Sequence, residues 1–157
     1  MRTILSALIT ILLLPIPAAD AYVNPATGQT RAGRVLRSFD KPARNWLPGH
    51  RGVDLDLQVG RRVLAAGPGT VAFSGDVAGT PTISIDHPDG IRTTYQPVHP
   101  LVGTGDRIEE GDVIGVLGHP TTAFPGLQWG ARRDGDYINP IGLLPAPTIR
   151  LKPLVDA

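Results

Sequence analysis

A histidine and a carboxylate stand four residues apart in the run Pro48-Gly49-His50-Arg51-Gly52-Val53-Asp54-Leu55. Imidazole nitrogen and carboxylate oxygen are ligand types that a zinc ion accepts, at roughly 2.0–2.2 Å. Gly49 and Gly52 let the backbone around the pair turn sharply and approach a neighbour closely. Val53, Leu55 and Leu57 alternate with Asp54 and Asp56, the period of a half-buried strand. A strand beginning after His50 puts Asp54 near a sheet rim, and the loop before it can fold His50 back beside the carboxylate. The same residues also make a hydrogen-bonded His–Asp turn without any metal, and spacing alone does not choose between the two.

The elements that must position this pair are short strands. The chain has 157 residues, with 19 Gly and 16 Pro. Such punctuation leaves almost no window for a ten-residue helix, and no stretch after the first twenty residues has a 3.6-residue apolar period. The fold class is therefore all-β. Residues 62–66, 70–74, 82–87, 91–95, 107–108, 113–117 and 125–133 read as strands. Ile83 and Ile85 should face inward, and Pro88-Asp89-Gly90 should form a hairpin turn. Gly67-Pro68-Gly69 and Asp134-Gly135-Asp136 are further turns. His87, at the end of its strand, reads as a solvated turn residue.

The organisation is one domain with appendages. Residues 1–21 read as a signal peptide: Arg2, an apolar run from Ile4 to Leu14, then Ala19-Asp20-Ala21 as a small-x-small cleavage site. The run is too short to span a bilayer. A retained N-terminal anchor is the alternative. The mature chain is expected to begin at Tyr22 and to be secreted. Residues 22–47 form an N-terminal arm with an edge strand at 33–39, and Trp46 should pack that arm onto the sheet. Residues 48–144 form the β-core, and 145–157 a Pro-rich tail. The chain has no cysteine, which excludes disulfides, thiolate metal sites and a cysteine-linked lipid. Its net charge of +1, with no basic patch carrying interleaved aromatics, argues against a nucleic-acid partner.

The order of these pieces resembles the lysostaphin-type, LytM-like zinc metallopeptidases, which cut the peptide parts of bacterial peptidoglycan. The marks are Gly49-His50-Arg51-Gly52-Val53-Asp54-Leu55, Ala65-Ala66-Gly67-Pro68-Gly69-Thr70-Val71, Ile85-Asp86-His87 turning into Arg92-Thr93-Thr94-Tyr95, Gly105-Asp106-Arg107-Ile108, Gly111-Asp112-Val113-Ile114-Gly115 and Leu127-Gln128-Trp129-Gly130. The resemblance runs from about Gly33 to Leu144. It implies an antiparallel β-sheet core with a groove for the metal, and zinc ligands at His50, Asp54 and the position of Gln128. It also makes Tyr95 and Trp129 candidates for substrate contact.

The chain departs from that family at the decisive places. Relatives carry His-x-His on the late strand, where this chain has Gly126 and Gln128. Relatives usually have a histidine just after the hairpin tyrosine, where Tyr95 is followed here by Gln96 and Pro97. A catalytic zinc takes three protein ligands plus water, and a general acid–base group adds roughly 10²–10⁴-fold in rate. The resemblance thus implies a zinc site that is weakened or absent, and a cell-wall domain that binds peptidoglycan or regulates a wall hydrolase. The alternative is an active zinc endopeptidase in which Gln128 or His119 substitutes. His119 lies in the loop 118–125, which can swing it toward the groove as ligand or base; an ordinary loop histidine is the other reading. His99 carries no argument.

Overall fold

The computed structural model describes residues 22–44 and 46–146. The expected signal peptide at 1–21 lies outside the described residues, as does all but the start of the expected tail. The architecture is all-β: β1 (Val35–Arg37), β2 (Gly52–Leu55), β3 (Arg62–Leu64), β4 (Gly69–Val77), β5 (Thr80–Asp86), β6 (Ile91–Gln96), β7 (Val98–Pro100), β8 (Arg107–Ile108), β9 (Val113–Leu117), β10 (Leu127–Arg133) and β11 (Asp136–Ile138). A single 3₁₀ turn, Pro140–Leu143, follows, with Pro140 at its start and the Asn139 side chain accepting from the Ile141 N–H. None of the described helical residues is long and apolar enough to cross a membrane.

The large sheet runs β1-β2-β10-β6-β5-β4-β8, with β11 added beside β10, and a second sheet runs β3-β9-β7. Every pairing is antiparallel. Strand alternation decides which side chains meet. On β10, Leu127, Trp129 and Ala131 are buried while Gln128 and Gly130 lie on the other face. Trp129 stands opposite Val53 on β2 and Tyr95 on β6, and Tyr95 stands opposite Ile83 on β5. Val63, Val98, Ile114 and Leu117 from the second sheet close this core. Burying each such side chain contributes about 1.5–3 kcal/mol. Ile83 and Ile85 face inward as expected.

Three local expectations need correction. Trp46 does not pack the arm: it is 75% exposed, with the Arg44 guanidinium over its ring. The arm is fastened at its other end instead. The Val23 N–H donates to the Ala66 carbonyl and the Leu64 N–H to the Pro25 carbonyl, while Asn24 donates to the Ala32 carbonyl at 2.6 Å. His87 is not a solvated turn residue but is 6% exposed. Its Nδ1 lies 2.7 Å from the Pro68 carbonyl oxygen and its Nε2 2.7 Å from Thr93 Oγ1. A carbonyl only accepts, so Nδ1 carries the proton. Finally, β7 was not expected, because Pro97 and Pro100 bracket it. It is an edge strand of the smaller sheet, where missing N–H groups are tolerated.

Tyr95 ties the layers together. Its hydroxyl accepts from the Ala66 N–H at 3.0 Å and lies 2.8 Å from Thr93 Oγ1. Burial pushes this hydroxyl up to about 12, from an ordinary value of 10. The unfolded chain ionises first, so the native advantage is complete below pH 10 and is lost as pH rises toward 12. The melting temperature should therefore fall steeply across that window, by an amount equivalent to about 3 kcal/mol. Tyr95→Phe should flatten the fall; an unchanged alkaline profile in that variant would contradict this account.

Candidate functional site

Four polar residues form one row across four neighbouring strands. Arg37 on β1 is the partner of Asp54 on β2, Asp54 is the partner of Gln128 on β10, and Gln128 is the partner of Gln96 on β6. Alternation puts all four on the face opposite Trp129. They line a cavity of about 130 Å³ together with His50. His50 reaches it from the loop before β2, held by a two-way backbone pairing with Asp40.

His50 and Asp54 do come together. His50 Nε2 lies 3.1 Å from Asp54 Oδ1, and both side chains are buried. His50 Nδ1 donates to the Ser38 carbonyl oxygen at 2.8 Å, since that oxygen can only accept. The Nε2 lone pair of a neutral ring then faces a carboxylate, so the contact needs a proton or a cation to complete it. Burial raises the Asp54 carboxyl above its ordinary value, against the lowering pull of His50 and then Arg37. Asp54 Oδ2 is buried with no hydrogen-bond partner among the described residues. An unsatisfied buried acceptor of this kind is costly.

These features fit a cation as far as two donors go. A carbonyl on the far nitrogen of an imidazole is the usual support for a metal-binding histidine. Gln128, the third-ligand position that the resemblance implies, brings a neutral carboxamide opposite Asp54. Among the described residues, no three His, Cys, Asp or Glu side chains gather into a metal-sized group. Two donors fall short of the three that a catalytic zinc takes.

The remaining candidates are placed elsewhere. His119 is exposed, and its neighbours Pro120 and Thr121 line the cavity while it does not. Tyr95 and Trp129, expected as substrate contacts, are both 0% exposed. The β6–β10 register turns them into the core, so they correct that expectation. Sequence reading missed Arg37 as a site residue. Its guanidinium lies 4.0 Å from the Phe124 ring centroid, a cation–π contact at the cavity wall. The alternation Val35-Leu36-Arg37 beside the Asp54 strand carried the signal, but the pairing register was needed to use it.

With this geometry in place, the comparisons with known proteins assign the class. The profile of peptidase family M23 matches residues 48–140. The chain is 46% identical over 127 residues to the uncharacterized protein Rv2891 of Mycobacterium tuberculosis and, to the same extent, to Mb2915 of Mycobacterium bovis. Each match covers 76% of this chain and 51% of the relative, so the chain spans about half the length of the curated relatives it matches. The chain belongs to peptidase family M23.

Solved structures share the fold. SpoIIQ in its pore-forming complex with SpoIIIAH aligns with a TM-score of 0.69 at 20% identity, over 83% of this chain and 95% of that one. The catalytic domain of lysostaphin from Staphylococcus simulans aligns at 0.61 and 21%, over 72% of this chain and 92% of that one. Csd3 of Helicobacter pylori aligns at 0.60 and 27%, over 76% and 33%.

The Gly126 position tests whether the late strand could take a His-x-His pair at 126 and 128. Gly126 has φ +95, and a Cβ there would collide with the Leu55 carbonyl oxygen. Backbone in such a region costs a side-chain-bearing residue about 1–3 kcal/mol before any collision. Gly126→Ala should therefore lower stability by at least that much in a denaturant titration. A melt unchanged by the substitution would show that the loop before β10 relaxes freely.

Proposed function

We propose that this chain acts outside the cell, at the bacterial cell wall, as an M23 domain with an incomplete zinc centre. In this reading it binds peptidoglycan or regulates a wall hydrolase rather than cutting peptide bonds. The observation that carries it is Gln128: a neutral carboxamide stands beside Asp54 where the family's third ligand would stand. Gln96 and Pro97 follow Tyr95, and neither side chain titrates near neutral pH. The signal-like residues 1–21 support export, and Tyr22 is the proposed mature start. SpoIIQ, whose fold this chain shares, sits in a complex with SpoIIIAH; a partner-binding role is proposed here on that precedent.

One observation favours the second reading, an active zinc endopeptidase. His50 is still held through Nδ1 as a ligand would be, with Nε2 directed at Asp54. Zinc, if held, would sit with His50 and Asp54 and would supply a Lewis acid and an activated water.

Gln128→His separates the readings. It returns an imidazole to the row, on the same face as Asp54. Zinc affinity should rise by orders of magnitude over the parent. Because a ligand that binds only the native state stabilises by mass action, excess zinc at 100 times Kd should add about 2.7 kcal/mol to the variant. The parent should show little zinc-dependent melting shift, should sediment with purified wall sacculi and should leave them undigested. A parent that binds zinc tightly and digests the wall would establish the endopeptidase instead.

A further inference from the structure

A wider groove of about 460 Å³ adjoins the His50–Asp54 cavity and shares Gln96 and Gln128 with it. That volume lies within the range of ligand pockets. Three arginines line it (Arg51, Arg92 and Arg132) and no carboxylate does. The concentration is local: the whole chain has 15 Lys and Arg against 14 Asp and Glu. The three arginines are not equivalent. Arg92 is engaged by Asp86, with Nε and Nη2 at 2.6 and 2.7 Å from its two oxygens. Arg132 has no ion pair with any described carboxylate. Its guanidinium lies 5.2 Å from the Tyr137 ring centroid, and its Nη2 donates to the Gly135 carbonyl. Arg51 approaches the same ring at 5.8 Å. One tyrosine therefore steadies two guanidiniums on one rim, leaving N–H donors of Arg132 for a guest.

The floor suits a peptide. Thr82 and Ser84 on β5 and Thr94 and Gln96 on β6 stand two residues apart along their strands, roughly 6.4–6.8 Å. Thr82 Oγ1 donates to the Thr80 carbonyl and accepts from Gln96 Nε2, and Ser84 and Thr94 share a hydrogen bond. The second N–H and the carboxamide oxygen of Gln96, with the remaining hydroxyl proton of the Ser84–Thr94 pair, can answer the alternating N–H and C=O groups of an extended chain. Gly130 leaves a bare strip of backbone between them and the arginines. We infer that this groove takes an extended peptide bearing free carboxylates, with Arg132, supported by Arg51 across Tyr137, as the carboxylate ligand. Planar guanidinium matches carboxylate with two parallel donors. The inference rests on the wall-peptide reading above and specifies it: the acidic form of the peptide is preferred over its amidated form.

The test is calorimetric titration of the full chain with two probes, an N-acetylated, C-amidated pentapeptide of alanine with two glutamates and its counterpart with two glutamines. The acidic probe should bind about tenfold tighter, the scale of one charge-assisted pair, and Arg132→Gln should abolish the difference. Arg133→Gln removes the same charge from an exposed neighbour outside the groove and should leave the difference intact. Equal binding of the two probes, no binding of either, or an unchanged preference in Arg132→Gln overturns the inference. So does an equal loss in Arg133→Gln. Sacculus sedimentation runs alongside. Wall binding without an acid preference sinks this inference alone; an Arg132-dependent acid preference without wall binding sinks the wall reading alone.

Discussion

The pairing of β10 with β2 on one side and β6 on the other is the constraint on which the site depends. Because strand side chains alternate, one register fixes both faces at once. It sends Trp129 against Val53 and Tyr95 in the core, and it lines up Asp54, Gln128 and Gln96 on the other face. A slip of one residue would bury the polar row and expose the tryptophan, which hydrophobic burial opposes strongly. The chemistry of the site is thus held in place by the core beneath it, and by Gly52, whose missing Cβ lets β2 lie against the Trp129 carbonyl at the required distance.

That row explains why Asp54 is in an unusual state. It is flanked by Arg37 on one strand and Gln128 on the next, with His50 folded over it from a loop. The described residues supply positive charge near the carboxylate but no direct donor to Oδ2. The arrangement places an imidazole and a guanidinium beside the buried carboxylate, with a neutral amide on the next strand. The Arg37 guanidinium, stacked on Phe124, contributes its charge from the cavity wall.

Much of this was legible in the sequence. Alternation in Val53–Leu57 and Thr82–His87, and glycine and proline at the turns, were enough for the all-β class and most strands. His50 and Asp54 could be paired because they are local, four positions apart at the start of one strand. What escaped depended on contacts between distant segments. Arg37 lies far from Gln128 in the chain and joins it only through the sheet order. His87 looked like a turn residue because it ends a strand before Pro88-Asp89-Gly90; its burial comes from Tyr22 and Pro68, which approach from other elements. Trp46 misled in the opposite direction, since a large aromatic in an arm suggests an anchor, whereas the short polar Asn24 does that work through backbone carbonyls.

The bonds around Ala66 have a consequence for how the molecule opens. Its N–H is held by Tyr95 of the large sheet and its carbonyl by Val23 of the arm, while the next strand pair, β3–β9, belongs to the smaller sheet. Three parts of the chain that are separate in sequence meet at one residue. Local opening free energies in proteins range from near zero to the global value, in cooperative units set by such shared bonds. The arm here is joined to the core through that bond, so its amide at Val23 belongs with the core in hydrogen exchange rather than with the surface loops.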